Sequence, residues 1–209
     1  SAQLHALHRL VGNTPMLAVD VRYRGERRRI YAKHESLSLT GSVKDRMALF
    51  VLEDAYRTGR IHPGDRIAEA TSGNTGISFA ALGRALGHPV TIFMPDWMSE
   101  ERRALIASFG ADIVPVSREQ GGFLGSIERA DAQGALDSRV FLPHQFSNDA
   151  NVRAHLETTG PEIWLQTASA GIRPAAFVAG VGTGGTVMGV GRYLKALDPG
   201  IRVHPLEPA

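Results

Sequence analysis

The chain has 209 residues, 43% of them hydrophobic and 21% charged, the balance of an ordinary globular protein with room for one large core or two small ones. It contains no cysteine, which excludes disulfides, thiolate metal sites and cysteine nucleophiles, and its net charge of +2 is too small to imply nucleic acid as a partner. No stretch approaches the unbroken apolar length of a membrane span, and Ser1-Ala2-Gln3-Leu4-His5 lacks the basic-then-apolar pattern of a secretory signal, so the expected location is the cytoplasm, away from membranes.

Met16 to Val19 and Ile30 to Lys33 read as two strands joined through the polar hairpin Tyr23-Arg24-Gly25-Glu26. The hairpin accounts for the cluster Arg22, Arg24 and Arg27 to Arg29 as a solvated turn rather than a nucleic-acid surface. Next, Leu39-Thr40-Gly41-Ser42-Val43-Lys44-Asp45-Arg46 forms a polar turn leading into a helix that begins near Val43, has Ala48 to Tyr56 as its body and stops at Gly59. Lys44 falls in the first helical turn, where the helix dipole disfavours its cation. Such a position lowers the amine pKa and promotes the neutral nucleophile that a Schiff base requires. An arbitrary lysine here would more simply face solvent and pair with Asp45, so its meaning depends on the loops that follow.

Arg66 to Ala70 reads as a buried strand and Ile77 to Leu86 as an apolar helix closed by Gly87. Between them lies Thr71-Ser72-Gly73-Asn74-Thr75-Gly76. Its glycines allow a sharp turn and close approach of a ligand, its backbone N–H groups point at whatever binds, and its hydroxyls and amide add further hydrogen bonds. Strand Val90 to Met94 follows, then a helix capped by Ser99 that carries Glu100 and Glu101 in its first turn and runs to Phe109 before Gly110. Asp112 to Val116 is a strand, Gly122 to Gln133 a helix and Val140 to Leu142 a strand. A second unit has helix Val152 to Gln166, strand Ala175 to Ala179, a loop from Gly180 to Thr186, helix Val187 to Ala196 and strand Arg202 to Pro205. Alternation of this kind implies an α/β fold, with parallel strands and helices on the faces.

The loop Gly182-Thr183-Gly184-Gly185-Thr186 again places free N–H groups and a helix N-terminus before an anion. It lacks the GxGxxG spacing and the following acidic residue of a dinucleotide site, so a phosphate monoester fits it better. The histidines show no HExxH or comparable ligand pair, and Ser72 and Ser78 lack the GxSxG elbow, so metal and serine-hydrolase chemistries are set aside. A nucleophilic lysine, a phosphate cradle and a hydroxyl-rich anion loop together describe a site for pyridoxal 5′-phosphate and an amino acid.

The chain resembles the cysteine synthase and cystathionine β-synthase group of fold type II pyridoxal-phosphate enzymes. The resemblance rests on GNTPM at Gly12 to Met16, TGSVKDR at Thr40 to Arg46, TSGNTG at Thr71 to Gly76 and GADIV at Gly110 to Val114. QFSNDAN at Gln145 to Asn151, TTGPEIW at Thr158 to Trp164 and GTGGT at Gly182 to Thr186 complete it, in order over nearly the whole chain. It implies two open, twisted, mostly parallel sheets with flanking helices, in the manner of the tryptophan synthase β subunit. Residues 45–148 would form a smaller mobile domain, and residues 1–44 with 149–209 a larger cofactor-binding domain. By the same resemblance Lys44 would hold the cofactor covalently and then remove the substrate α-proton. Asn74 would bond the cofactor's phenolic oxygen, and Gly182, Thr183, Gly184, Gly185 and Thr186 its phosphate. Thr71, Ser72, Thr75 and Gln145 would bind the substrate α-carboxylate. A β-substituent, usually acetate from O-acetylserine, would leave, and sulfide or another nucleophile would add to make cysteine or a relative of it. The resemblance further implies a homodimer and a serine acetyltransferase as partner. The alternatives are a sibling β-replacement yielding cystathionine, S-sulfocysteine or diaminopropionate, or a non-catalytic truncated paralogue that acts as a binding partner.

The chain departs from the family where Asp149 and Val152 replace prolines, which predicts a less rigid loop after Gln145. It departs again at Ser36-Leu37-Ser38-Leu39-Thr40 and Gln120-Gly121-Gly122-Phe123-Leu124-Gly125, both expected near the site mouth. Family members also run roughly a hundred residues further, a length known by resemblance alone, so the sequence is expected to be a fragment that lacks the C-terminal part of the larger domain. That part would hold the Ser or Thr that bonds the pyridine nitrogen.

Overall fold

The computed structural model describes residues 2–207; Ser1, Pro208 and Ala209, which the domain boundaries above include, lie outside the described residues. Helix α1 (Ala2–Leu7) leads into an antiparallel hairpin of β1 (Met16–Tyr23) and β2 (Glu26–Lys33). Its two-residue turn, Arg24 and Gly25, has positive φ at both positions, which matches the twist of the flanking strands. The arginine cluster is exposed there as expected, with Arg29 bonded to Asp20 at 2.6 Å and Arg28 paired with Glu26.

A 3₁₀ turn (Glu35–Leu37) precedes α2 (Lys44–Arg57), which therefore begins at the lysine itself. Four parallel strands follow: β3 (Arg66–Ala70), β4 (Val90–Pro95), β5 (Asp112–Val116) and β6 (Val140–Phe141). They lie in the order β5-β4-β3-β6 and are linked by α3 (Asn74–Leu86), α4 (Glu100–Ser108) and α5 (Gly122–Leu136). Both faces of the sheet are covered, which is why these strands read as continuous apolar runs. Ile67, Ile92 and Met94 pack with Met47, Leu52 and Phe79 of α2 and α3. Ala68, Ala70 and Phe93 pack with Ala130 of α5. The chain winds outward from β3 to β5 and then returns to the other side of β3 as β6, so the strand order reverses between β3 and β6. Crevices at such reversals, beyond the carboxyl ends of the strands, are where open α/β sheets bind ligands.

The last unit comprises α6 (Ala150–Ala154), a π turn (His155–Thr159), α7 (Gly160–Ser169), β7 (Ala176–Gly180), α8 (Gly185–Leu197) and β8 (Arg202–Leu206), with β7 and β8 parallel. The expected single helix Val152 to Gln166 is thus longer at both ends and interrupted by the π turn. The interruption lies against α8, at contacts only glycine permits. A Cβ on Gly189 would stand 2.4 Å from the Val152 carbonyl oxygen and 2.6 Å from His155 Cβ. π turns occur mostly as single turns inserted in α-helices, frequently at functional sites.

Arg46 of α2 joins these units. Its guanidinium, 3% exposed, bonds Glu35 through Nε at 2.7 Å and Glu162 of α7 through Nη2 at 2.7 Å; Lys33 of β2 reaches the same Glu162 at 2.9 Å. Burial alone would raise the Glu162 pKa, but the hydrogen bonds from Arg46 and Lys33 overcome it and hold the carboxyl at about 2. Among the described residues no helix is long and apolar enough to cross a membrane, and no cluster of His, Asp and Glu could hold a metal ion.

Candidate active site

The TSGNTG segment leaves the carboxyl end of β3 and enters α3 at Asn74, and Gln145 lies beyond the carboxyl end of β6, so the two occupy opposite walls of the crevice at the strand reversal. Thr71 is buried and its hydroxyl accepts the Gly73 N–H at 3.2 Å, which folds the loop back on itself. Ser72 and Asn74 are exposed. Thr75 donates its hydroxyl to Gln145 Oε1 at 2.7 Å, and Gln145 Nε2 donates to the Ala70 carbonyl at 3.0 Å. Two of the four expected carboxylate ligands, Thr75 and Gln145, therefore bond each other across the crevice, Thr71 is buried in the turn of the loop, and Ser72 alone of the four faces solvent.

Lys44 opens α2 on a partly buried position, and burial lowers its pKa. The next residue, Asp45, does not pair with it at the surface. Asp45 is fully buried, accepts the Thr40 N–H at 2.7 Å and the Ser78 hydroxyl at 2.7 Å, and so fastens the TGS turn to the first turns of α3. Ser78 also reaches the Asn74 carbonyl at 3.0 Å, which ties the lysine's helix to the start of TSGNTG.

The loop 182–186 turns from β7 into α8 through Gly184 at φ +81°. A Cβ on Gly182 or Gly184 would meet open space, and the first-turn N–H groups of the 13-residue α8 have no partner within their helix. Gly185 faces inward, where a Cβ would stand 2.1 Å from Asn151 Oδ1. The donor set and the open volume fit a phosphate at a helix N-terminus. Thr186 bonds the buried ring of His155 at 3.2 Å, and the opposite nitrogen of that ring is bonded to Thr159 at 2.9 Å. Burial, with the charges of Arg46 and Lys44 adding to it, pushes His155 down to about 3, so the ring is neutral.

Three residues that sequence reasoning missed connect these parts. Asn151 Nδ2 donates to the Gln145 carbonyl at 2.9 Å and to Thr183 Oγ1 at 2.8 Å, which bridges the two crevice loops. His155 links the π turn to the phosphate-type loop and lies near Lys44. Glu69, buried on β3, accepts the Gln145 N–H at 3.2 Å. The loop after Gln145 is held without the family's prolines: Asn148 Nδ2 donates to the Pro143 carbonyl at 2.9 Å and Asn148 Oδ1 accepts the Ala150 N–H at 3.0 Å. The divergent segment at 120–125 does meet this region, because Phe123 stacks edge-on against Phe146 at 5.8 Å between centroids.

Residues 7–209 match the family of pyridoxal-phosphate dependent enzymes. A cysteine synthase of Aquifex aeolicus is 44% identical over 96% of this chain and 62% of its own length. A cysteine synthase B of Salmonella typhimurium is 39% identical over 98% of this chain and 66% of its own. Among solved structures, a hydrogen sulfide-producing enzyme of Fusobacterium nucleatum superposes with a TM-score of 0.96 at 53% identity, over 99% of this chain and 62% of that one. An O-ureido-L-serine synthase superposes with a TM-score of 0.84 at 39% identity, over 97% of this chain and 63% of that one. The chain thus spans a little under two thirds of the length of these relatives. On the collinear motifs, the crevice geometry and these likenesses together, the chain belongs to the pyridoxal-phosphate dependent enzymes of fold type II, in the branch that contains the cysteine synthases.

Proposed function

We propose that this chain carries the site of a pyridoxal-phosphate enzyme that exchanges the β-substituent of a small L-amino acid, with a sulfur group entering or leaving. The observation that carries the reading is the continuous hydrogen-bonded line Thr75–Gln145–Asn151–Thr183, which joins an anion loop to a phosphate-type loop beside a partly buried lysine. Lys44 would hold the cofactor, residues 182–186 its phosphate and Asn74 its phenolic oxygen. When bound, the cofactor supplies the electron sink that makes the amino acid's Cα–H acidic and its β-substituent expellable.

The chain's own groups have separate tasks in this reading. Lys44 Nζ, disfavoured as a cation by burial, takes the α-proton. Thr71, Ser72, Thr75 and Gln145, with the first N–H groups of α3, bind the α-carboxylate; the Thr75–Gln145 bond opens to admit it. Residues 45–148 act as the smaller domain, whose closure excludes water and aligns the Cα–H bond.

The first reading of the reaction is cysteine synthesis from O-acetylserine and sulfide, supported by the relatives named cysteine synthase. A second is the same exchange with L-cysteine as the substrate, its β-sulfur leaving as sulfide and water or the thiol of a second cysteine taking its place on the β-carbon, favoured by the higher identity to a hydrogen sulfide-producing enzyme. Homodimerisation, a cytoplasmic location and a serine acetyltransferase partner go with the first. The test is to load the protein with pyridoxal phosphate and supply either O-acetylserine with sulfide or L-cysteine alone. Sulfide consumption with cysteine formation supports the first, sulfide release the second, and neither in a protein that has taken up the cofactor would overturn both.

A further inference from the structure

Glu69 is the least expected residue near the crevice. It lies on a strand between β4 and β6, 5% exposed, with the apolar Ile92 as its register partner on β4. Burying a carboxylate there costs free energy unless hydrogen bonds compensate it. The compensation is specific: Oε1 accepts the Ala70 N–H at 2.9 Å and Oε2 the Gln145 N–H at 3.2 Å. Ala70 also receives the Gln145 side chain on its carbonyl, and that side chain accepts the Thr75 hydroxyl. One carboxylate therefore holds the main chain at both ends of a closed ring of bonds, 69 to 145 to 70, with Thr75 attached to it. A hydrophobic residue would fill the same space at lower cost and leave two buried N–H groups without acceptors.

We propose that Glu69 is a positioning residue for substrate recognition: its carboxylate fixes the Gln145 main chain and so sets the height of the Gln145 side chain and of Thr75 against the incoming α-carboxylate. The inference rests on the functional reading above only in naming what the loop binds. Glu69 touches neither substrate nor cofactor in this account. It acts through the amide of Gln145, across 76 residues of sequence.

Glu69→Gln is the informative variant, because it keeps the shape and one acceptor oxygen but presents an N–H where the Gln145 N–H needs an acceptor. Hydrogen exchange of the chain alone is expected to speed up at the Gln145 amide and across 71–76 while the melting temperature at pH 7.5 holds or rises. In the protein loaded with pyridoxal phosphate, KM for the amino acid is expected to rise about tenfold, the worth of one displaced hydrogen bond, with kcat changed by less than about twofold. Unchanged exchange and unchanged KM would overturn the proposal, as would faster exchange spread over the whole sheet with a fall in melting temperature, the mark of a purely structural role. Glu69→Asp, which keeps the charge but stops one methylene short of the Gln145 amide, should reproduce the effect and decides the question if Glu69→Gln does not fold. Should the loaded wild type turn over no amino acid, the functional reading falls and the exchange comparison alone decides the role of Glu69.

Discussion

In the proposed function Lys44 carries most of the chemistry, and its setting suits that role. A lysine at the first position of α2 meets the positive end of the helix dipole, and partial burial withdraws the water that would stabilise its charge. Lys44→Ala should leave the fold intact and abolish the visible absorbance of lysine-bound cofactor; a band of wild-type strength in the variant would assign the linkage to another amine. Gly185 is the complementary residue, since it admits Asn151 where any side chain would collide. Gly185→Ala should cost about 1 to 3 kcal/mol in denaturant unfolding and weaken uptake of pyridoxal phosphate, because the intruding methyl displaces Asn151 from Thr183. A variant with wild-type stability and uptake would show that the loop yields freely.

Elements are held in register by the buried ionic group. Arg46 binds the turn before α2 through Glu35 and binds α7 through Glu162, so its loss leaves the partly buried Glu35 without a cation and Glu162 with Lys33 alone. Arg46→Ala is expected to destabilise by about 3 to 5 kcal/mol, whereas a joint replacement of Arg46, Glu35, Glu162 and the Lys33 paired with Glu162 by apolar residues of similar volume should recover much of it; urea unfolding of both variants checks this. The sequence announced some elements and concealed others for identifiable reasons. Glycines and hydroxyl residues at 71–76 and 182–186 are legible because their types are costly inside regular structure, and Lys44 because its helix position is unfavourable. Glu69, Asn151 and His155 were not legible, because each takes its role from a partner on another element. The π turn was hidden too: its periodicity is that of a helix, and only the close approach of Gly189 shows that the backbone is displaced there.

The whole molecule should respond to acid less than its buried groups separately suggest. His155 is held at about 3 by burial and by nearby Arg46 and Lys44, against the usual 6.5, so the folded chain binds fewer protons than the unfolded one between those values and stability falls as pH drops. Glu69 is raised by burial to about 7 from 4.5, so the folded chain binds more protons in that window and stability rises as pH drops. Between 4.5 and 6.5 the two slopes oppose each other. Glu69→Gln removes only the second, so relative to wild type it should lose up to about 1.4 kcal/mol for each pH unit of acidification through that range, read from urea midpoints. Parallel profiles for the two proteins would show that Glu69 titrates as an ordinary carboxyl.

The line from Glu69 through Gln145 and Asn151 to Thr183 has a consequence for how this region can change over time. Each member satisfies a donor or acceptor of the next, and Gly185 must remain small for Asn151 to stay in place. Substitutions along the line will therefore show strong epistasis: one that is deleterious alone becomes acceptable beside a matching change at its neighbour. Phe123 and Phe146, which contact each other by their rings and take no part in the line, can change independently of it, while positions 69, 145, 151 and 185 are free to vary only as a set.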